Sequence, residues 1–475
     1  MRKHIRFSIL IAVVILLSLV GGNLTLAQQS GNSAAPSGTI SQDANFPWST
    51  QYAQHVSFPD DVGTYASLAI HPLTDLPYIS YYDATNGNLI LAHFVGNGGG
   101  DCGTNNNWHC EVLDGDNGDD VGTYTSIDMI GDAAAQTWRI GISYHDETHG
   151  ALKFISWTCG PLVCTIHNKV TVTAPVSMLF NLGLYTSFRF DPSGIPHIVY
   201  QQTNSFSNID ALKIANFVDS GGNCGEGSAV GKWECGTIDS GEGIGQYASL
   251  DLTYDGTPYI AYYDANLGNL KIAYYTGFAD PDCYLTNGWN CPVIDSIGNV
   301  GQYASITAQH SPSDKLFRVA YYDRTNKHLK YYDSDFGALF VDEMGSSPSH
   351  MGISMDVDND GLPIIAYQQI LSGDFETSDL RVARPYLAFD DGNFGNCGDT
   401  PPDYLFTYWR CNPIDDSGQY LNEADFVSVA VKSTNLAVVA YSEFYSYDAG
   451  DHATSLKVIY QKFQFPAFLP LINKP

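Results

Sequence analysis

The side chains best suited to chemistry gather near the C-terminus, where Tyr445, Tyr447, Asp448, Asp451 and His452 fall close together. Asp374, Phe375 and Glu376 form a second such group upstream. Aromatic faces beside carboxylate acceptors suit a neutral sugar or a peptide, whereas an anionic glycan would be repelled. These eight residues are the candidate ligand-binding set. Tyr144-His145-Asp146 sets a phenol beside an imidazole, which could move a proton. The same position reads Tyr262-Tyr263-Asp264 further on, so the triplet is read as structural. Asp356-Val-Asp358-Asn-Asp360-Gly361 has spacing that suits calcium, yet position twelve is Tyr367 in place of a bidentate Glu. Asp191-Pro-Ser-Gly194 and Asp255-Gly256 occupy equivalent places, which marks an ordinary hairpin turn. No G-x-S-x-G, H-E-x-x-H or phosphate loop occurs. No catalytic residue, metal or cofactor is assigned.

The ten cysteines fall into five close pairs: Cys102 with Cys110, Cys159 with Cys164, Cys224 with Cys235, Cys283 with Cys291, and Cys397 with Cys411. One member of each follows a Trp by two residues, at the expected start of an outer strand. An even count in an exported chain reads as disulfides. Zinc is disfavoured because the spacings vary and no His accompanies them.

The elements that must position all these residues repeat. Each copy reads G-x-Y-x-S-L, then P-x-I-x-Y-Y-D, then L-K-x-A, then W-x-C. The lead position is Tyr65, Tyr124, Tyr185, Tyr247, Tyr303, Gly352 and Phe426. A Ser follows two residues later in all seven: Ser67, Ser126, Ser187, Ser249, Ser305, Ser354 and Ser428. Tyr81, Tyr144, Tyr200, Tyr262, Tyr321, Tyr367 and Tyr441 mark the second segment. Leu89, Leu152, Leu212, Leu270, Leu329, Leu380 and Leu456 mark the third. Four β-rich runs per copy, at a period near 50–60 residues, predict an all-β, seven-bladed β-propeller of four-stranded blades. A Lys or Arg follows the third-segment Leu in six copies, Ile90 being the exception, and alternation predicts Leu on a packed face and the cation on a wetter one. The last copy stops after its third strand. Trp48 precedes Tyr65 by the spacing that separates later Trp residues from later lead positions, so the N-terminal strand should complete blade 7 and close the ring.

The same repeat supplies the argument for the ligand site. Asp83, Asp146, Asp264 and Asp323 end the second strand before a tight turn. Gln202, Gln369 and Glu443 replace them, and the connections lengthen there. The loops of neighbouring blades 6 and 7 would then line one cleft carrying the eight candidate residues.

Arg2, Lys3 and Arg6 precede an apolar run from Phe7 to Val20, and Thr25-Leu26-Ala27 supplies a cleavage signal. The expected organisation is a signal peptide over 1–27, a flexible linker over 28–44, the propeller over 45–463 and a short tail over 464–475. The run is shorter than the roughly 20 residues of a spanning helix, so no membrane insertion is expected after cleavage. With 22 Lys+Arg against 51 Asp+Glu and a net charge of −29, nucleic acid is not an expected partner.

The Y-Y-D … L-K-x-A pattern resembles repeats of exported bacterial seven-bladed propeller proteins, and Phe468-Leu-Pro-Leu-Ile-Asn-Lys474 looks like a tail found on some exported bacterial proteins. The resemblance covers residues 45 to about 463 and implies architecture far more than activity. Sialidases share the shape, but their S-x-D-x-G-x-T-W boxes are missing, and Phe317-Arg318-Val319 only faintly echoes their arginine motif. The expectation is a secreted or cell-surface, non-catalytic propeller that binds a neutral glycan or protein. The alternatives are a glycan-cleaving enzyme, hydrolase or lyase, and a structural envelope protein.

Overall fold

The computed structural model describes residues 48–54, 60–160, 163–166, 169–278, 282–283, 288–312, 314–345, 352–370, 378–386, 395–399, 408–415, 423–448 and 451–461. They form seven antiparallel sheets arranged as a β-propeller. From the channel outwards, blade 1 contains Val62–Ile70, Pro77–Asp83, Asn88–Phe94 and Trp108–Asp114. Blade 2 contains Val121–Asp132, Thr137–Asp146, Ala151–Cys159 and Val170–Thr173, with Cys164–Ile166 also paired to its third strand. Blade 3 contains Phe180–Phe190, Pro196–Asn204, Asp210–Phe217 and Trp233–Gly241. Blade 4 contains Ile244–Leu252, Pro258–Asp264 and Asn269–Tyr275, with an outer strand split into Trp289–Asn290 and Val293–Asp295. Blade 5 contains Val300–Ala308, Phe317–Asp323, His328–Asp333 and Gly337–Glu343. Blade 6 contains Ile353–Val357, Pro363–Ile370, Ser378–Tyr386 and Tyr408–Asp415. Blade 7 contains Glu423–Val431, Ala437–Asp448 and Asp451–Gln461, completed by Trp48–Gln54, whose Trp48 pairs with Gln461. The N-terminal strand closes the ring as the spacing predicts.

Each repeated residue has an interblade task. The Ser Oγ accepts a backbone N–H from the next inner strand in every case. Ser67 takes it from Ile127 at 3.2 Å, Ser126 from Phe188 at 3.0 Å and Ser187 from Leu250 at 3.0 Å. Ser249 takes it from Ile306 at 3.1 Å, Ser305 from Met355 at 2.9 Å and Ser354 from Val429 at 3.0 Å. Ser428 closes the circle on Leu68 at 3.0 Å. In blades 1 to 5 the Gly two residues before the lead position packs on the third-strand Leu of the preceding blade. A Cβ at Gly122 would lie 2.9 Å from the Leu89 Cα, and one at Gly63 would lie 2.9 Å from the Leu456 Cα.

The second-strand Tyr residues are buried and reach back to the outer strand of the preceding blade. The Tyr144 hydroxyl donates to Asp114 at 2.7 Å, Tyr262 to Asp239 at 2.7 Å and Tyr321 to Asp295 at 2.6 Å. Tyr367 and Tyr441 donate likewise to Asp342 and Asp415. The third-strand cation joins the same carboxylate: Lys153 on Asp114 at 2.5 Å, Lys271 on Asp239 at 2.6 Å and Arg381 on Asp342 at 3.0 Å. The expected wetter face for these cations is therefore corrected. Lys271 and Lys457 are 7% and 6% exposed, because a buried carboxylate waits for each. At Asp114, burial pushes the pKa up, and the hydrogen bonds from Lys153, Lys169 and Tyr144 more than reverse it. At blade 1 carboxylate and cation are replaced together: Tyr81 donates to neutral Gln54, beside Ile90; at blade 3 Lys213 turns to Gln202 at 3.2 Å.

All five disulfides form with the expected pairing, each within one blade. One detail differs: Trp157 belongs to the third strand of blade 2, so Cys159–Cys164 clips a hairpin before the outer strand begins. The turn roles also stand. Asp83, Asp146, Asp264 and Asp323 each accept the amide three residues on. Asp358 Oδ1 accepts the amides of Asp360 and Leu362, and Asp191 does the same for Ser193 and Ile195.

The buried triads yield a stability test. Lys271→Ala leaves Asp239 buried without its cation and should cost about 3–5 kcal/mol. The double change Asp239→Gln with Lys271→Ile copies the native Gln54–Ile90 pair and should recover most of that loss in a thermal melt. An equal loss in both variants would show that the interface tolerates only the ionic solution.

Candidate functional site

The lead residues do not lie flat in their strands. The ladder of blade 1 skips from Thr64 to Ser67, and blades 2, 3, 4 and 5 skip in the same place. Within these bulges Tyr65, Tyr124, Tyr185, Tyr247 and Tyr303 take left-handed backbone angles, with φ between 49° and 55°. Phe426 does so in blade 7 at φ 52°. Each such residue costs roughly 1–2 kcal/mol. The bulge swings six aromatic rings into the channel mouth, where they touch in succession. Ring centroids lie 4.5 Å apart for Phe426–Tyr65, 4.7 Å for Tyr65–Tyr124, 4.8 Å for Tyr124–Tyr185, 4.9 Å for Tyr185–Tyr247 and 4.4 Å for Tyr247–Tyr303. Burial raises the pKa of Tyr65, Tyr124, Tyr185 and Tyr247, so these phenols stay protonated. Blade 6 breaks the belt: Gly352 carries no ring, and its strand pairs without a bulge from Ile353. The belt lines a chamber of about 410 Å³.

The rim above the belt departs from the repeat. The position after the turn Asp is Ala84, Glu147, Ala265 and Arg324 in blades 1, 2, 4 and 5. Glu147 is half-exposed, 3.2 Å from Nδ1 of the buried His145, and its charge acts on Tyr65 and Tyr124. The Tyr82 hydroxyl donates to Asp120 at 2.7 Å, and the Glu147 amide donates to the Asp120 carbonyl at 2.9 Å. Glu147 is thus the carboxylate whose charge reaches Tyr65 and Tyr124, with Asp120 held by Tyr82 at the same interface. His145 Nε2 bonds Asn181 at 2.7 Å, the interblade task that Tyr263 performs on Asn299 at 2.8 Å. Its other nitrogen meets Thr123 at 3.0 Å as well as Glu147. Burial lowers the His145 pKa despite Asn181 and Glu147, so the contact with Glu147 is that of a neutral imidazole and not an ion pair. Tyr144 points elsewhere, to Asp114, so Tyr144-His145-Asp146 is no catalytic unit.

Below the belt lies a second chamber of about 430 Å³, at the level of the serines. Asp128, Asp251 and Asp356 accept backbone amides of the next blades, adding rungs beside the serine bonds. Burial raises the pKa of Asp128 and Asp356. At Asp251 burial acts the same way, but His310 at 2.8 Å and Arg189 at 3.4 Å outweigh it and the pKa falls.

The candidate ligand set fares differently. Tyr445, Tyr447, Asp448, Asp451 and His452 are not on a long loop. The second strand of blade 7 runs on to Asp448 and the third starts at Asp451, with Tyr445 paired to Ala453 and Ser446 to His452. The lengthened connection is an extended hairpin because both strands keep bonding beyond Glu443. That residue is buried against Lys457 at 2.7 Å and Tyr52 at 3.0 Å. Asp374, Phe375 and Glu376 lie outside the described residues. Arg318 is buried on Asp314 at 2.7 Å, which accounts for it structurally. Sequence reasoning used the lead Tyr residues only as repeat markers and passed over Glu147. The missed signal was the off-repeat residue after the turn Asp.

No protein-family model matches the chain, and no curated protein matches it. Solved structures do. Polysaccharide lyase Uly1 is 11% identical, with 86% of this chain and 91% of that one covered at a TM-score of 0.41. The NanB sialidase from Streptococcus pneumoniae is 11% identical over 86% of this chain and 70% of its own, at 0.39. An alpha-L-arabinofuranosidase from Lactobacillus brevis is 12% identical over 78% and 97%, at 0.31. Likeness at this level speaks to the fold alone. A non-catalytic binding propeller was the expectation; these similar propellers are instead named as a polysaccharide lyase, a sialidase and an arabinofuranosidase. Among the described residues, no helix is long and apolar enough to cross a membrane.

His310 gives a pH test of the lower chamber. The Asp251 carboxylate raises its pKa from 6.5 to about 9. The imidazolium is held more tightly in the folded chain, so its stabilisation is complete below about pH 6.5 and lost as pH rises through about 9. The melting-temperature gap between the parent and His310→Gln should be widest near pH 6 and close towards pH 10. A gap that does not change with pH would remove the ion pair.

Proposed function

We propose that this chain is an exported, glycan-cleaving enzyme that hydrolyses a neutral glycan at the aromatic mouth of its channel. The observation that carries the reading is the belt of six rings held in left-handed backbone at six separate sites. Strain repeated in this way points to a use for the rings beyond packing. Aromatic faces stack on the apolar faces of sugar rings, and protonated phenols donate to sugar hydroxyls. Hydrolysis of a glycosidic bond calls for paired carboxyl groups, one to protonate the leaving oxygen and one to activate water or attack. Glu147 and Asp120 supply that pair, with Tyr65 and Tyr124 orienting the sugar between them. Neutral substrate is favoured by the net charge of −29. Five disulfides fit an extracellular setting.

The test is a panel of neutral polymers (arabinan, galactan, xylan and mannan) alongside polyuronates (pectate and alginate). Reducing ends should appear from at least one neutral polymer, with no unsaturated product from the polyuronates. Glu147→Gln should lower the rate by about 10²–10⁴-fold with an unchanged melting temperature. Cleavage unaffected by Glu147→Gln, or no cleavage of any polymer, overturns the proposal.

A further inference from the structure

We propose that a cavity between blades 2 and 3, on the face opposite the mouth, binds a small carboxylate with an apolar body. The inner strands run from their lead rings to Asp132 and Phe190, and the second strands set out from there with Arg139 and Pro196 near their starts. These two residues line a cavity of about 420 Å³, within the range of about 300–1,000 Å³ usual for small ligands.

Two departures from the repeat build this cavity. Five residues before the second-strand Tyr stand Leu76, Ile195, Thr257, Leu316, Leu362 and Leu436, but blade 2 has Arg139. Four residues after the third-strand Leu stand His93, Asn216, Tyr274, Asp333, Arg384 and Tyr460, but blade 2 has Ser156. The equivalent crevice between blades 7 and 1 shows what the larger residue does. There Tyr460 stands with Pro77, Phe94 and Trp108, and about 100 Å³ remains. Between blades 2 and 3 the same frame is Pro196, Phe217 and Trp233, and Ser156 leaves the space open.

The walls supply both halves of the ligand. Phe154 and Phe217 each meet Trp233 edge to face at 5.4 Å, and these rings suit a flat apolar body. Arg139 and Lys232 supply positive charge. One terminal nitrogen of Arg139 donates to the Gly194 carbonyl at 2.6 Å, while its Nε is buried without a partner. Burial lowers the Arg139 pKa. A cation drawn from water without a counter-ion is costly, and a bound carboxylate would supply one. Ser156 is 7% exposed, and its hydroxyl has no hydrogen-bond partner among the described residues. It can donate to the same carboxylate. Asp219 stands exposed at the rim, so the lining keeps a single net positive charge, which matches a monoanion. The last wall is the loop that Cys224–Cys235 clips. Its Glu226 amide donates to the Thr171 carbonyl of blade 2 at 3.1 Å, which holds Ser228 and Ala229 beside the cavity.

The probes are benzoate and cinnamate, with benzamide and acetate as controls, titrated calorimetrically into the unaltered, disulfide-bonded protein. Both aryl carboxylates should saturate one site, and each control should bind at least about tenfold more weakly. Arg139→Leu installs the residue of blades 1, 5, 6 and 7, so it should melt no lower than the parent. It should weaken benzoate by about 10–100-fold. Ser156→Tyr, the residue of blades 4 and 7, should fill the cavity and abolish binding in a protein whose melting curve shows it folded. Equal affinity for benzoate and benzamide would overturn the recognition of charge. Unchanged benzoate binding in either folded variant would overturn the site, as would the absence of saturable binding by both carboxylates. None of these outcomes bears on hydrolysis at the mouth.

Discussion

The hydrogen bond from each inner strand to the serine of the preceding blade is the constraint on which the rest depends. An inner strand is an edge strand, and its channel-facing amides have no sheet partner. The Ser Oγ satisfies one such amide at every interface, over distances of 2.9–3.2 Å. A single bond is worth only about 1 kcal/mol net. Its geometric effect is larger, because seven of them in a closed circuit set every blade at one height. The Gly-to-Leu packing, the Tyr-to-Asp reach and the level at which the lead rings meet all follow from that common height.

Much of this was legible. Ser, Gly, Tyr and Leu recur because each touches the neighbouring blade, so changing one copy damages an interface. Trp48 revealed the closure because the outer strand it begins is missing at the other end. Cysteine pairing was readable because each pair is local. The burial of the third-strand cations was not readable from alternation, since the partner carboxylate comes from a different blade. The left-handed bulges were equally hidden. A Tyr between Gly and Ser reads as an ordinary strand residue, and only the ladder shows that the backbone turns it inward. The hairpin of blade 7 was misjudged for a related reason: loss of the turn Asp lengthens a connection, but strand pairing can absorb the extra length.

A scaffold of seven similar blades must break its symmetry to make a specific site, and not every break means the same thing. Gln54 departs from the outer-strand Asp, but Ile90 departs with it, so the interface stays neutral and the change is structural. His145 replaces a Tyr yet keeps the bond to the next blade through Asn181. Gly352 lacks the ring that six other blades hold at a cost in backbone strain, but a Cβ there would meet Val427 of the next blade, so packing accounts for it. Such breaks are compensated where they occur. Glu147 is different. Glu147 stands where blades 1 and 4 have Ala, and sets a half-exposed carboxylate within electrostatic reach of Tyr65 and Tyr124. Packing does not require that carboxylate, and this is the physical ground for placing the chemistry at the mouth of the channel.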